Sequence, residues 1–264
     1  MFTEKNINGC VIVTDDNFTK HGVTHAFTTR HGGMSSDEYS SLNLGFNRGD
    51  DNANVMENFK ILACALNRDI ENFVLTKQTH NDITKAVTAK DKGKGILIKG
   101  FDDCDALMTN VSDLVLCGSF ADCVPILMYD TVKRVACVVH SGWKGTVKMI
   151  SFTAIKTMIN KYNSNTADII CSIGPSIGAC CFEIGEDVKN QLNAVYNADK
   201  YIFIKDNKTY ADLWQINKEI LLSAGVLSDN ISILGECTVC NSDNYFSHRV
   251  SGDKRGALSA VISL

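Results

Sequence analysis

Three residues in this chain combine reactive side chains with positions where strands would deliver them: His80, Cys123 and His140. Two of them lie in the stretch Ala121 to Thr146, where two short apolar runs flank a polar turn. That is the pattern of a buried hairpin or of two adjacent strands. Cys123 opens the first run and His140 closes the second, so antiparallel pairing would bring thiol and imidazole to one rim of a sheet. Three chemistries suit such a group. Two histidines and a cysteine can bind one zinc ion, leaving a fourth position for a water whose pKa the metal lowers. Alternatively, Cys123 is a nucleophile and His140 its base, as in cysteine hydrolases. In the third reading both are buried structural residues. Spacing alone leaves the three open, because cysteine–histidine pairs arise readily in a chain with 11 cysteines.

Other residues could bind anions or metal. Arg30 stands in the glycine-rich turn Thr29-Arg30-His31-Gly32-Gly33-Met34-Ser35, where backbone can approach a ligand closely. The plainer reading is an ordinary loop with a solvated arginine. Arg48, and Arg249 after His248, carry the same two readings. Cys237-Thr238-Val239-Cys240 is half a zinc site or a redox motif. No second pair at finger spacing follows, so structural zinc is not expected there. The adjacent Cys180 and Cys181 are not expected to form a disulfide in a reducing compartment.

The elements that must position these residues are mostly short. The spacing predicts helices over about 55–66, capped by Asp51 or Asn52, and over about 146–160 with Thr146 as N-cap. Two more are expected over 186–195 and 212–224, the last stopped by Gly225. Strands are expected at 10–13, 23–29, 73–80, 95–100, 105–109, 114–118, 167–173 and 231–234, around the central pair and a final run to Leu264. Many short strands with about four helices, in no regular alternation, predict an α+β fold with mixed β-sheets and flanking helices. Only two prolines and no low-complexity linker argue for one domain over 1–264. A net charge of −4 argues against a general nucleic-acid binder. No apolar run is long enough to cross a bilayer, and the N-terminus lacks a secretory core. The expectation is a cytoplasmic protein with reduced thiols and no membrane partner.

Several blocks follow one family's pattern in order: Arg30-His31-Gly32-Gly33-Met34-Ser35, Ser41-Leu42-Asn43-Leu44-Gly45, Gln78-Thr79-His80, Asp105-Ala106-Leu107-Met108-Thr109 and Ala121-Asp122-Cys123-Val124-Pro125-Ile126. They continue with His140-Ser141-Gly142-Trp143-Lys144-Gly145-Thr146, Ile173-Gly174-Pro175-Ser176-Ile177-Gly178, Cys180-Cys181-Phe182-Glu183 and Phe246-Ser247-His248-Arg249. Over nearly its whole length the chain resembles the YfiH-like laccase-domain family, long labelled multicopper polyphenol oxidase. The resemblance implies a metal site on His80, Cys123 and His140, with zinc expected and copper the alternative. It implies a purine nucleoside enzyme: phosphorolysis of adenosine, inosine and methylthioadenosine to free base and ribose 1-phosphate (or its methylthio analogue), and deamination of adenosine to inosine. The partners are then purine nucleosides and phosphate, with oligomeric state open. The family's likeness to a bacterial toxin deamidase, in fold and in its Cys-His pair, keeps open a hydrolase acting on an amide or a peptidoglycan precursor.

A copper-dependent polyphenol oxidase is the remaining alternative. A laccase-type oxidase needs about ten histidines for its coppers, and this chain has six. For phosphorolysis, Arg30, Arg48 and Arg249 are the candidates for phosphate or ribose contact. Trp143 is either a base-stacking residue or a packing plug. Deamination needs a proton donor, and no HxE motif lies at His80 or His140; Asp122 and Glu183 are the candidates. If Cys123 begins a strand, Asp122 points to the opposite face, which favours a structural role. Ser141, Met34 and Asn81 depart from the family's usual residues, and Asn81 bears on how the His80 loop turns.

Overall fold

The central apolar runs lack polar alternation because both faces of their strands are covered. In the computed structural model, which describes residues 1–195 and 197–264, β8 (Val124–Asp130) and β9 (Val135–Ser141) pair antiparallel, with Pro125 opposite His140 and Val124 opposite Ser141. Ile126, Met128, Cys137 and Val139 pack into one core, and Leu127, Tyr129, Ala136 and Val138 into another. A strand buried on both sides reads as a continuous hydrophobic run.

These strands lie at the middle of a six-stranded sheet. Its order is β14 (Ile231–Ile233), β10 (Ile169–Ile173), β8, β9, β6 (Ala106–Thr109) and β5 (Thr84–Ala86). A second six-stranded sheet runs β1 (Phe2–Ile7), β2 (Cys10–Asp15), β3 (Thr24–Thr28), β15 (Leu258–Ser263), β7 (Val115–Phe120) and β4 (Phe73–Leu75). Both are mixed: β10 with β14, β5 with β6, and β4 with β7 are parallel, and the other pairings are antiparallel. The sheets stack, sharing the core that contains Phe27, Leu116, Leu127 and Val138. A small third sheet joins β11 (Glu183–Ile184), β13 (Lys208–Ala211) and β12 (Ile202–Lys205).

Helices cover the outer faces. Val55, Phe59 and Leu62 of α2 (Asn52–Ala65) cover the second sheet. On the first, α4 (Ile150–Tyr162) and α6 (Leu213–Ser223) share a core with β8 and β9. The caps of α2 and α6 are aspartates: Asp51 accepts from Ala53 N, and Asp212 from Trp214 N and Gln215 N, each satisfying otherwise orphaned donors. The remaining helices are α1 (Asp16–Thr19), α3 (Trp143–Val147), α5 (Glu186–Asn193) and α7 (His248–Ser251). The fold is thus α+β with mixed sheets and flanking helices, as expected. Among the described residues no helix is long and apolar enough to cross a membrane.

Three local expectations need correction. The strand from Phe73 stops at Leu75, and residues 76–80 are loop because the Thr79, His80 and Asn81 N–H groups bond a carboxylate instead of a ladder partner. The helix expected from Thr146 begins earlier, at Trp143, and is then interrupted by Met149 at φ +56°. Thr146 lies inside α3, its hydroxyl hydrogen-bonded to Ser141 and accepting from Asn217. Residues 95–97 form a turn, with Gly95 at φ +85°, and Ile98 makes only an isolated bridge to Lys94.

Candidate functional site

The pairing of β8 with β9 sets the site. Cys123 immediately precedes β8, and His140 is the penultimate residue of β9. With Pro125 opposite His140, the cysteine falls beside the following turn. That turn begins with Gly142. A Cβ there would lie 2.8 Å from Cys123 Sγ and 3.2 Å from the His80 ring, so the position has no room for a side chain. His80 arrives from a different direction, on the loop after β4, at φ +61°. Histidine is among the few non-glycine residues enriched in that left-handed region. Cys123 Sγ lies 3.9 Å from His80 Nε2, and the two imidazoles meet edge to face at 4.9 Å. One ligand atom from each of His80, Cys123 and His140 lies within 4.8 Å of the others.

Asp105 holds this group together, and the sequence did not single it out. It is fully buried where the chain enters β6. Its carboxylate accepts from the backbone N–H of Thr79 (3.0 Å), His80 (3.1 Å) and Asn81 (3.0 Å), and from His140 Nδ1 at 2.7 Å. A carboxylate so bonded can only accept, so Nδ1 of His140 carries the proton. In the neutral ring Nε2 is then bare and faces the site, the tautomer a metal ligand needs. One carboxylate therefore fixes the His80 loop and the His140 ring together. Burial raises the Asp105 pKa, but the bonds from His140, Asn81 and Thr79 outweigh it and keep the carboxyl below its usual range. The departure at Asn81 is absorbed: its N–H joins the Asp105 cluster, its side chain reaches Asp103, and Lys148 donates to it.

In the metal-free protein the same group is polarised. Burial opposes ionisation of Cys123, but the charge of His140 and hydrogen bonds to both histidines bring its thiol down to about 6. Burial likewise opposes protonation of His140, yet Cys123 and Asp105 raise it to about 9. A thiolate–imidazolium pair backed by a carboxylate results.

Two cavities meet at the group. The larger, about 440 Å³, is lined by His80, Asp122, Cys123, Trp143, Phe182 and Arg249 among others, together with Ile177, Leu213 and Arg255. The smaller, about 100 Å³, is lined by His80, Cys123, His140, Gln78, Arg48 and Arg255. Arg48 is exposed, its stem against Gly45, where a Cβ would lie 2.9 Å away. Arg255, only 9% exposed, has an Nε without a partner among the described residues. Burial and then Arg48 lower its pKa, against the opposing pull of Asp122, Asp253 and Cys123. Nothing in Gly252-Asp253-Lys254-Arg255 marked it in the sequence.

The other candidates are placed as follows. Arg30 lines neither cavity; its guanidinium donates to the carbonyls of Ser40 and Ser242 and lies 4.6 Å over the Phe246 ring, which ties loops together. Arg249 reaches the larger cavity while donating to the carbonyls of Cys181 and Glu183. Trp143 lines that cavity and also packs on the core. The two candidate proton donors are already engaged. Asp122 accepts from Thr238 Oγ1 at 2.6 Å and Arg249 N at 2.7 Å. Glu183 is exposed and pairs with Lys208 at 2.8 Å.

This arrangement sits within a chain matched over residues 24–264 by the family described as multi-copper polyphenol oxidoreductase laccase. The chain belongs to that family. It is 35% identical to purine nucleoside phosphorylase YlmD of Bacillus subtilis (strain 168), over 92% of this chain and 88% of that one. It is 30% identical to adenosine deaminase RL5 from an unknown prokaryotic organism, over 88% and 90% of the two. The crystal structure of YlmD from Geobacillus stearothermophilus superposes with a TM-score of 0.93 at 30% identity, covering 98% of this chain and 97% of that chain. Despite the family's description, the histidines of this chain gather in one place only: among the described residues His80 and His140 alone share a group able to hold a metal.

Proposed function

We propose that the protein is a purine nucleoside phosphorylase, acting on adenosine, inosine and methylthioadenosine, that also deaminates adenosine. The observation that carries this is the junction of two unequal cavities at His80, Cys123 and His140. The larger has the volume of a small-molecule site with mostly apolar walls. It would take the nucleoside, with Trp143 and Phe182 as platforms for the base and Arg249 at its edge. The smaller suits an inorganic anion, and Arg48 with Arg255 would hold phosphate there. The names of the relatives support the same pairing of substrates. In phosphorolysis a phosphate oxygen bonds C1′, the C1′–N9 bond breaks, and the purine leaves with the electron pair and takes up a proton. In deamination water adds at C6 and ammonia departs.

His80, Cys123 and His140 would hold a metal ion, zinc in preference to copper; the Nε2 of His140, once it gives up its proton, and the nearby thiolate suit either. Bound there, zinc supplies Lewis-acid polarisation of an oxygen group. Asp105 keeps His140 in the ligand tautomer and holds the His80 loop against it. The chain would work as one unit over 1–264 in the cytoplasm, where its cysteines, all unpaired among the described residues, stay reduced.

The Cys123–His140–Asp105 series favours a second reading, a hydrolase with nucleophile, base and orienting carboxylate. Product analysis after incubation with adenosine, with and without phosphate, separates the two. Adenine and ribose 1-phosphate formed only with phosphate, and inosine without it, are expected. No turnover under either condition would sink the nucleoside reading.

A further inference from the structure

Away from this site, a second ligand group lies between two loops. β10 and β14 run parallel, and their pairing extends to a bridge between Ser176 and Cys237. That extension lays Cys180 and Cys181 against Cys237 and Cys240, the last some 60 positions along the chain from Cys180. The CxxC pair therefore does have a partner pair, and it is the vicinal one. Cys240 Sγ lies 3.5 Å from the sulfurs of both Cys180 and Cys181, and all four sulfurs lie within 4.8 Å of one another.

We propose that Cys180, Cys181, Cys237 and Cys240 form a closed, structural zinc site. Four thiolates at about 2.3 Å from zinc in a tetrahedron stand about 3.8 Å apart, close to the spacing these sulfurs already have. A bonded sulfur pair would need about 2.05 Å. The surroundings are shaped for the group. Gly178 N donates to Cys237 Sγ at 3.2 Å. A Cβ on Gly178 would come within 3.2 Å of the Cys237 Cβ and 3.3 Å of the Cys180 sulfur. An all-thiolate set selects a soft or borderline ion and leaves no position for water, so its role is to hold structure.

What it would hold is a wall of the larger cavity. Thr238, between the CxxC cysteines, donates to Asp122, next to Cys123. Arg249 donates to the Cys181 carbonyl. The ion would thus fasten the 178–182 loop to the 237–249 segment and, through the bonds from Thr238 and Arg249 N to Asp122, to the neighbour of the first site's cysteine.

The test counts metal in the 264-residue chain by elemental analysis after zinc loading and gel filtration. H80A/C123A empties the first site and should retain about one zinc per chain. Adding C180S/C240S, two exposed positions whose exchange leaves the core intact, should remove it. Cobalt-loaded H80A/C123A should show tetrahedral cobalt–thiolate absorption that vanishes in the quadruple variant. H80A/C123A without zinc, equal zinc in both variants, or a disulfide at Cys240 in protein purified under reducing conditions overturns the proposal.

Discussion

Replacing Asp105 with Asn tests the site most directly, because shape is kept while charge and one acceptor are lost. If the amide oxygen takes the place of Oδ1, it keeps the bonds from His80 N and His140 Nδ1. The amide nitrogen then replaces Oδ2 and faces the N–H groups of Thr79 and Asn81, donor against donor. Two orphaned donors cost about 1–3 kcal/mol each where buried. The 79–81 loop is partly exposed and water can reach it, so the low end applies, about 2–3 kcal/mol. For a chain of this size that is a fall of about 4–12 °C in Tm. Zinc affinity should drop about 10–100-fold, as it does when a carboxylate behind a histidine ligand is removed. Competition with a chromophoric chelator measures the affinity, and calorimetry of metal-free protein measures the Tm. D105N that binds zinc like the wild type, at unchanged Tm, refutes the role given to this carboxylate.

Four further outcomes are expected. In metal-free protein, alkylation of Cys123 should rise with a midpoint near pH 6, and H140N should move it up toward the ordinary thiol range, since the His140 charge holds the thiol down; a midpoint unmoved by H140N contradicts the pair. The same linkage sets a stability window. The Cys123 contribution is lost as pH falls through about 6, and that of His140 as pH rises through about 9, so Tm of the apo protein should peak between these values. G142A forces a Cβ to 2.8 Å from Cys123 Sγ; overpacking of about 1–3 kcal/mol and weaker zinc binding should follow, read by calorimetry and metal titration. R48M and R255M should each raise the KM for phosphate about tenfold or more, as expected for losing a charge-assisted bond, and R48M, which borders the smaller cavity but not the larger, should leave that for the nucleoside little changed; steady-state kinetics with each substrate varied in turn would expose the opposite pattern.

Local rules in the sequence settled much of this protein. Apolar runs flanking a polar turn placed β8 and β9, and antiparallel geometry then brought Cys123 to His140, since strand pairing follows from pattern and turn length. The helices over 55–66 and 212–224, and a cap for the first at Asp51 or Asn52, were equally legible; the cap at Asp212 was seen only in the fold. Tertiary structure alone decided what depends on convergence of distant segments. Asp105 looked like the polar first residue of a strand; only the fold wraps three N–H groups and an imidazole around it. Arg255 looked like the unremarked first residue of the final strand, and Arg30 like an anion grip or a solvated loop arginine, until packing buried the first beside Cys123 and spent the second on carbonyls. The four cysteines read as two unrelated pairs because ligand spacing along a chain reports a metal site only when both pairs lie within one short motif. Here a parallel strand pairing supplies it, and parallel partners lie far apart in sequence.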